Sequence, residues 1–128
     1  MNTLITHGVE ISVETSYQEE YSNPLRNEFT FAYRITISNH NLFTVQLLRR
    51  KWIISDANRK VEIVEGDGVV GRQPVLYAGD SYQYVSGSHL QTPLGKMKGV
   101  YIFENKATAE TFEVDIPEFK LEAPAMLN

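Results

Sequence analysis

The segment EFTFAYRITIS, from Glu28 to Ser38, alternates apolar and polar side chains along its whole length. One face of an extended chain receives the larger apolar residues, Phe29, Phe31, Tyr33, Ile35 and Ile37. The other face receives Thr30, Ala32, Arg34 and Thr36. A period of two is typical of a β-strand with one buried face, so the segment predicts a strand of a half-buried sheet.

The same period recurs on both sides of this strand. GVEISVETS places Val9, Ile11 and Val13 on one face, and TFEVDIP does the same before Pro117, where we expect the ladder to end. Shorter segments rich in β-branched and aromatic residues, VEIV, YQYVS and GVYIF, lie between them, separated by Asn, Gly and Pro. We therefore predict an all-β fold, an antiparallel β-sandwich of the immunoglobulin or fibronectin type III kind with about seven or more strands.

The segment from Phe43 to Ile54 changes phase within its own length. Its apolar positions are odd-numbered at first and even-numbered after Leu47, which predicts a β-bulge near Leu48–Arg50 and a buried Trp52. The residues that we expect to be mostly buried are Phe31, Tyr33, Ile35, Val45, Trp52, Val100, Ile102, Phe112 and Val114.

Composition limits the classes of function. The 128 residues predict one domain, residues 1–128, with LEAPAMLN at 121–128 as a frayed tail. A net charge of −4 argues against general nucleic-acid binding, and the cluster Arg49, Arg50 and Lys51 is typical of a solvated strand end. There is no cysteine, no signal segment and no apolar stretch of membrane-spanning length. We expect a cytoplasmic protein without disulfides or membrane insertion.

GDGVVG, from Gly66 to Gly71, matches the G-x-G-x-x-G pattern of dinucleotide-binding folds. In those folds the third glycine opens a helix whose N-terminus holds the pyrophosphate. Here RQPVLYAGD follows, which carries no amphipathic helix, so we interpret the motif as a turn between strands with at least one glycine at positive φ. A weaker alternative is an anion-binding nest of backbone amides in which Gly66, Gly68, Gly71 and Arg72 contact a phosphate.

Other chemistry-bearing patterns are sparse. The histidines His7, His40 and His89 are far apart in sequence, and the carboxylates show no ligand-loop spacing. We interpret SGSH, from Ser86 to His89, as a polar turn after a strand rather than a triad, because adjacency in sequence is not triad geometry. We predict no catalytic residues, no metal site and no cofactor.

Several longer segments together resemble the bacterial ApaG family: FAYRITISN, VQLLRRKWII, VEGDGVVGRQPVLYAGDSYQYVSG, TPLGKMKGVYIFENK and FEVDIPEFKL. They occur in the family's order and cover nearly the whole chain. The chain departs from the family's usual pattern at Ala78-Gly79, where Pro-Gly is common, and at Val64-Glu65, where many members carry a more basic or histidine-containing segment. The resemblance implies a fibronectin type III-like sandwich, and related domains occur in a eukaryotic F-box protein and a polymerase-delta-interacting protein. It also implies an association with cobalt and magnesium efflux.

Two classes of function follow from these patterns. The first is a non-catalytic binding module whose partner is a protein, with a homodimer as a further possibility. In that case the exposed Val69 or Val70 in the glycine turn is available to the partner. The second is a small phosphate- or nucleotide-binding protein that uses Gly66–Gly71, linked to dinucleoside polyphosphate metabolism. We favour the first class, because the second rests on one motif in the wrong structural setting.

Overall fold

The computed structural model describes residues 1–124 and consists of nine strands and two single-turn 3-10 helices. The strands are Asn2–Thr6 (β1), Val9–Tyr17 (β2), Phe29–Asn39 (β3), Val45–Asp56 (β4), Val61–Asp67 (β5), Val75–Leu76 (β6), Ser81–Leu90 (β7), Leu94–Asn105 (β8) and Thr111–Glu122 (β9). The short helices, Glu19–Tyr21 and Pro24–Arg26, lie between β2 and β3. Neither helix in this described part is long and apolar enough to cross a membrane.

The strands form two antiparallel sheets. The four-stranded sheet has the order β1-β2-β3-β7, and the five-stranded sheet has the order β5-β4-β8-β9, with β6 beside β4. The large apolar side chains of both sheets are buried in one core between them. The prediction of an all-β antiparallel sandwich is confirmed, and the alternation of β3 shows why. Phe31, Ile35 and Ile37 are at most 1% exposed, whereas Arg34 is exposed.

The predicted bulge in β4 is confirmed and determines which side chains of this strand reach the core. The pairing with β8 shifts between Leu47 and Arg49, so Leu48 is the additional residue on β4. After the bulge the even-numbered residues point inward, as predicted from the phase change. Trp52 is 3% exposed and packs against Phe119 with ring centroids 5.9 Å apart.

The prediction for β8 was wrong in its phase. Val100 and Ile102 are only half-buried, whereas Tyr101 and Phe103 are fully buried. Both faces of GVYIF are apolar, so alternation did not identify the inner face of this segment. Tyr101 determines which face of β8 points inward, because its hydroxyl forms a buried hydrogen bond with the hydroxyl of Tyr84 across the sandwich. Phe112, also predicted to be buried, is half-buried against the edge of the core.

Pro117 does not end the last ladder, which continues to Glu122. The pairing between β8 and β9 shifts where Pro117 lies, and a bulge is a position at which a strand tolerates proline. Leu121 is fully buried and Ala123 is 8% exposed, so the tail that we predicted from residue 121 does not begin there. Residues 125–128 of that predicted tail lie outside the described residues.

Candidate functional site

The two long sides of the sandwich differ in how the sheets meet. On the closed side, β1 and β2 lie against β9, and β1 side chains bond to the outer edge of β9. Asn2 Nδ2 donates to the Glu118 carbonyl at 2.7 Å, and the Asp115 amide donates to Thr6 Oγ1 at 3.3 Å. The open side is formed by β7, β5 and the turn Val69–Arg72. Here the edge strands β7 and β5 lie farther apart than β1 and β9 do on the closed side.

The glycine motif forms a tight turn on the open side. The amide of Val69 donates to the Arg72 carbonyl at 2.7 Å, and the Arg72 amide donates back at 3.0 Å. The two central residues, Val70 and Gly71, have φ of +48° and +75°. Positive φ at both central positions is typical of the type I′ turn of a two-residue hairpin. The setting is strand–turn–strand, as the sequence predicted, and the dinucleotide-binding arrangement is not formed.

The bulge in β4 anchors this turn. The Gly68 amide donates to the Leu48 carbonyl at 2.8 Å, and Gln73 Nε2 donates to the same oxygen at 2.9 Å. Gly68 has φ of +60°, and a Cβ there would lie 2.0 Å from the Arg72 carbonyl oxygen. The motif therefore needs a glycine at Gly68 for structural reasons, as the interpretation as a turn requires.

The same contacts bear on the anion-binding alternative. The amides of Gly68, Val69 and Arg72 donate to backbone carbonyls, so they are not available to a phosphate. The amides of Val70 and Gly71 have no hydrogen-bond partner within residues 1–124. A nest at this turn would therefore be limited to the two tip amides and the side chain of Arg72.

Arg50 joins the turn to the interior. Its Nη1 donates to the carbonyls of Asp67 and Gly68, at 2.9 Å each. The bulge turns this side chain inward, where the positive charge lowers the pKa of nearby tyrosines by a minor amount. Burial outweighs this and raises the pKa of Tyr33, Tyr84 and Tyr101 above the ordinary value of 10.0. The three hydroxyls therefore lose their protons at a higher pH in the folded protein than an exposed tyrosine does.

The three histidines lie apart in space as well as in sequence. His40 Nε2 is 2.8 Å from Glu10 Oε1, and His89 Nδ1 is 3.0 Å from Thr30 Oγ1. His7 is exposed in the turn after β1. Among residues 1–124 no three His, Asp or Glu side chains are grouped so that they could hold a metal ion.

The prediction of a turn at SGSH was wrong, because the segment lies within β7 and pairs with β3. The alternation of the strand separates its side chains. Ser88 is buried on the inner face, whereas His89 is exposed on the outer face. A hydroxyl and an imidazole on opposite faces of one strand cannot act together as nucleophile and base.

The open side carries exposed apolar residues at its edge. Val61 and Ile63 of β5 are 60% and 59% exposed, and Val70 at the tip of the turn is 62% exposed. The expectation for the turn is corrected in one respect: Val69 is 1% exposed and belongs to the core, so only Val70 is available to a partner.

A groove of about 440 Å³ lies at the open side, between the ends of β7 and β5. His89, Leu90 and Gln91 form one wall, and Val61 and Glu62 form the other. The lining is completed by Ile54, Asp56 and Lys60. Sequence reasoning did not identify this groove, because it depends on how far two strands of different sheets are offset. One signal was present in the sequence: β7 carries no Lys, Arg, Asp, Glu or Pro.

Comparison with known proteins agrees with the fold and with the motifs. The family model described as the ApaG domain matches residues 19–105. The protein ApaG of Vibrio vulnificus strain YJ016 is 52% identical over 120 residues, covering 94% of each chain. The protein ApaG of Brucella anthropi is 49% identical over 124 residues, covering 97% of this chain and 95% of the relative.

A solved structure extends this agreement to the backbone. The crystal structure of a Bordetella pertussis protein described as ApaA is 39% identical and superposes with a TM-score of 0.88. The match covers 92% of this chain and 95% of that one. Family model, sequence identity and backbone agree over nearly the whole length, and the chain belongs to the ApaG family.

Proposed function

We propose that this chain is a non-catalytic binding module that binds a protein partner at the open side of the sandwich. The observation that carries the proposal is the pair of edge strands β7 and β5, each bonded to one neighbour, with Val61, Ile63 and Val70 exposed beside them. Exposed strand edges and apolar side chains together are typical of surfaces that bind other proteins. On the closed side the outer edge of β9 is covered, because β1 side chains bond to its backbone.

The proposal also gives a physical account of the family association. An association with cobalt and magnesium efflux would act through a bound protein rather than through an ion held by this chain. The partner would be met in the cytoplasm, the location expected from the sequence.

A matched pair of isoleucines tests the proposal. Ile63 on the open side and Ile5 on the closed side are 59% and 58% exposed, and each lies on an edge strand. We expect wild-type protein to recover a defined partner in stoichiometric amount from an extract of its own cells. Ile63→Lys should lose this partner because it places a charge on the exposed face of β5 beside the interface, and Ile5→Lys should retain it.

Quantitative mass spectrometry after cross-linking provides the measurement, with circular dichroism to show that both variants fold. Loss of the partner in Ile5→Lys with retention in Ile63→Lys would place the interface on the closed side and refute the proposal. Recovery of no partner by wild-type protein would refute it as well.

A second candidate function is phosphate or nucleotide binding at the glycine turn, favoured by the two tip amides of Val70 and Gly71 beside Arg72. Calorimetry with ATP, pyrophosphate and a dinucleoside tetraphosphate at millimolar concentration tests it. Under our proposal these titrations give no saturable heat and no turnover. Saturable binding that Arg72→Ala abolishes, with the fold intact, would establish the second candidate instead.

A further inference from the structure

We propose that β7 accepts one extended segment of the partner as an added strand, and that this segment presents apolar and basic side chains in alternation to β5. The inference rests on the proposed function and specifies how the partner is held. It follows from four features of the open side: the composition of β7, the direction of its backbone groups, the position of its side chains and the uncovered inner face of β5.

The edge of β7 lacks the features by which proteins usually block strand addition. Its ten residues, SYQYVSGSHL, contain no charged residue other than a titratable histidine, no proline and no bulge in the pairing with β3. Charged side chains, proline and bulges are the usual protection of an exposed edge. The other long edge, β9, has Pro117 and a register shift, and β5 has Glu62, Glu65 and Asp67.

The backbone of β7 presents alternate residues to its free edge. The Asn39 amide donates to the Asp80 carbonyl at 2.9 Å, which fixes the phase of the ladder between β3 and β7. From Asp80 onward, every second residue of β7 exchanges hydrogen bonds with its partner on β3. The residues between them direct their N–H and C=O groups away from β3, toward the free edge. Gln83, Val85 and Gly87 are such residues, and the strand offers an edge of about 33 Å for its ten residues.

The outer side chains of β7 fold back over β3 and leave this edge unobstructed. Three of them bond to a β3 side chain: Ser81 to Ser38 at 2.9 Å, Gln83 to Thr36 at 2.9 Å and His89 to Thr30 at 3.0 Å. An added strand therefore meets backbone groups rather than side chains.

The inner face of β5 is not covered by β7. Val64 and Glu62 pair with Trp52 and Ile54, whose side chains point inward, yet Val64 is only half-buried and Glu62 is exposed. The groove of about 440 Å³ runs between Glu62 and the end of β7. A strand bonded to β7 would lie over this face of β5 and exclude water from it.

The face that would be covered specifies the side chains of the segment. Val64 and the half-buried Ile54 favour an apolar side chain of the partner. Glu62 favours a lysine or arginine, and none of the described ion pairs involves Glu62. Successive inward side chains of one strand are two residues apart, so the two types alternate at positions i and i+2.

A second copy of this chain does not fit the same edge. Pairing of β7 with its symmetry mate would place the second copy's β7 over the exposed inner face of β5. That strand already has its own β4 and β5 beneath it, so the two five-stranded sheets would occupy the same space. A single extended segment has no second sheet attached beneath it, so it avoids this overlap.

A synthetic probe tests the mode of binding directly. The probe is a nine-residue peptide, Thr-Val-Thr-Lys-Thr-Val-Thr-Lys-Thr, whose Val and Lys positions share one face. Its control is the same peptide with every backbone amide N-methylated, which has no N–H to donate to a strand edge. Amide chemical shifts of the isotope-labelled protein provide the measurement. We expect shifts confined to β7 and β5 with the probe and none with the methylated peptide.

Two substitutions complete the test. Glu62→Lys should weaken the probe roughly fivefold or more through charge reversal, whereas Glu113→Lys, exposed on the outer face of β9, should leave it unchanged. Val85→Pro removes an edge N–H and should abolish probe binding. Since the methylated peptide removes hydrogen bonds from the other partner, the result does not depend on how well Val85→Pro folds.

The outcomes separate this inference from the proposed function. Equal binding of the probe and its methylated form, or shifts on the closed side, would overturn strand addition. If the natural partner is lost in Ile63→Lys but retained in Val85→Pro and Glu62→Lys, the binding module stands and strand addition is overturned. A mass that doubles with concentration and reverts in Val85→Pro would assign the edge to a second copy instead.

Discussion

The closed and open sides of the sandwich contain similar elements and end differently. On the closed side Asn2 and Thr6 of β1 bond to the backbone of β9, so side chains of one sheet satisfy edge groups of the other. On the open side the outer residues of β7 bond back to their own sheet, and Val64 of β5 remains half-covered. A strand edge is therefore accessible not because it lies at the margin, but because no neighbouring side chain reaches it.

The largest expected effect tests whether the two sides share one core. Trp52 contacts Phe119 of β9, on the closed side, and Tyr101, whose hydroxyl bonds to Tyr84 of the open-side strand β7. We expect Trp52→Ala to reduce the free energy of unfolding by about 3–5 kcal/mol, because a buried aromatic ring is replaced by a cavity. Urea denaturation provides the measurement. Tyr77→Ala, at a residue that is 66% exposed, should cost less than about 0.5 kcal/mol. A loss below about 1 kcal/mol for Trp52→Ala would contradict the assigned core.

The next effect separates two glycines of the open-side turn. A Cβ at Gly68 would lie 2.0 Å from a carbonyl oxygen, whereas Gly71, also at positive φ, faces open space. We expect Gly68→Ala to cost more than about 2 kcal/mol and Gly71→Ala about 1 kcal/mol. Thermal unfolding with and without pyrophosphate measures both. Equal costs would show that positive φ alone, and not the close approach of the Arg72 carbonyl, determines the cost of a side chain at Gly68.

A third prediction concerns pH and the tyrosines beneath the open side. Burial raises the pKa of Tyr84 and Tyr101 above 10.0, so the unfolded chain loses these protons at a lower pH than the folded protein. The folded state then binds more protons, and the free energy of unfolding falls as pH rises above about 10.

The slope of that fall is up to about 1.4 kcal/mol per pH unit for each tyrosine. Urea unfolding at a series of pH values measures it. Tyr84→Phe should make the decline shallower, and Tyr77→Phe should not, since Tyr77 is exposed. An unchanged slope in Tyr84→Phe would show that the buried hydroxyl does not control alkaline stability.

The smallest expected effect is a gain. Val70 is a β-branched residue at φ of +48°, a conformation that favours asparagine or glycine in a type I′ turn. Val70→Asn should raise the free energy of unfolding by up to about 1 kcal/mol. The same substitution should reduce recovery of the partner, because the exposed isopropyl group is lost. Unchanged recovery together with a gain in stability would show that Val70 does not contact the partner.

The sequence correctly predicted those features for which the local pattern of apolar residues is compatible with only one inner face. The alternation from Phe29 to Ile37 predicts one inner face, and the change of phase after Leu47 predicts the bulge and the burial of Trp52. It predicted the wrong face in β8, where both faces are apolar and where the hydrogen bond between Tyr101 and Tyr84 decides. The predicted end of β9 at Pro117 was also too early. The bulge that accommodates this proline depends on the pairing with β8, which the sequence of β9 alone does not show.

The candidate site was predictable in part for the same reason. The lack of a helix after Gly71 was sufficient to identify a turn, because helical periodicity is a local property. The burial of Val69 was not predictable from the sequence. The Gly68 amide bonds to the Leu48 carbonyl of another strand, and with the turn held there the side chain of Val69 lies in the core.

By itself the sequence determined the class of the fold, the strand pattern of its central segments, the bulge in β4 and the family to which the chain belongs. The first three follow from the spacing of apolar side chains, which a period of two makes visible within a few residues, whereas the family follows from the resemblance of several longer segments. Only the tertiary structure decided which edges are closed and which are open. That property depends on the offset between two sheets and on side chains far apart in sequence, such as Asn2 and Glu118, whose contact no local pattern encodes.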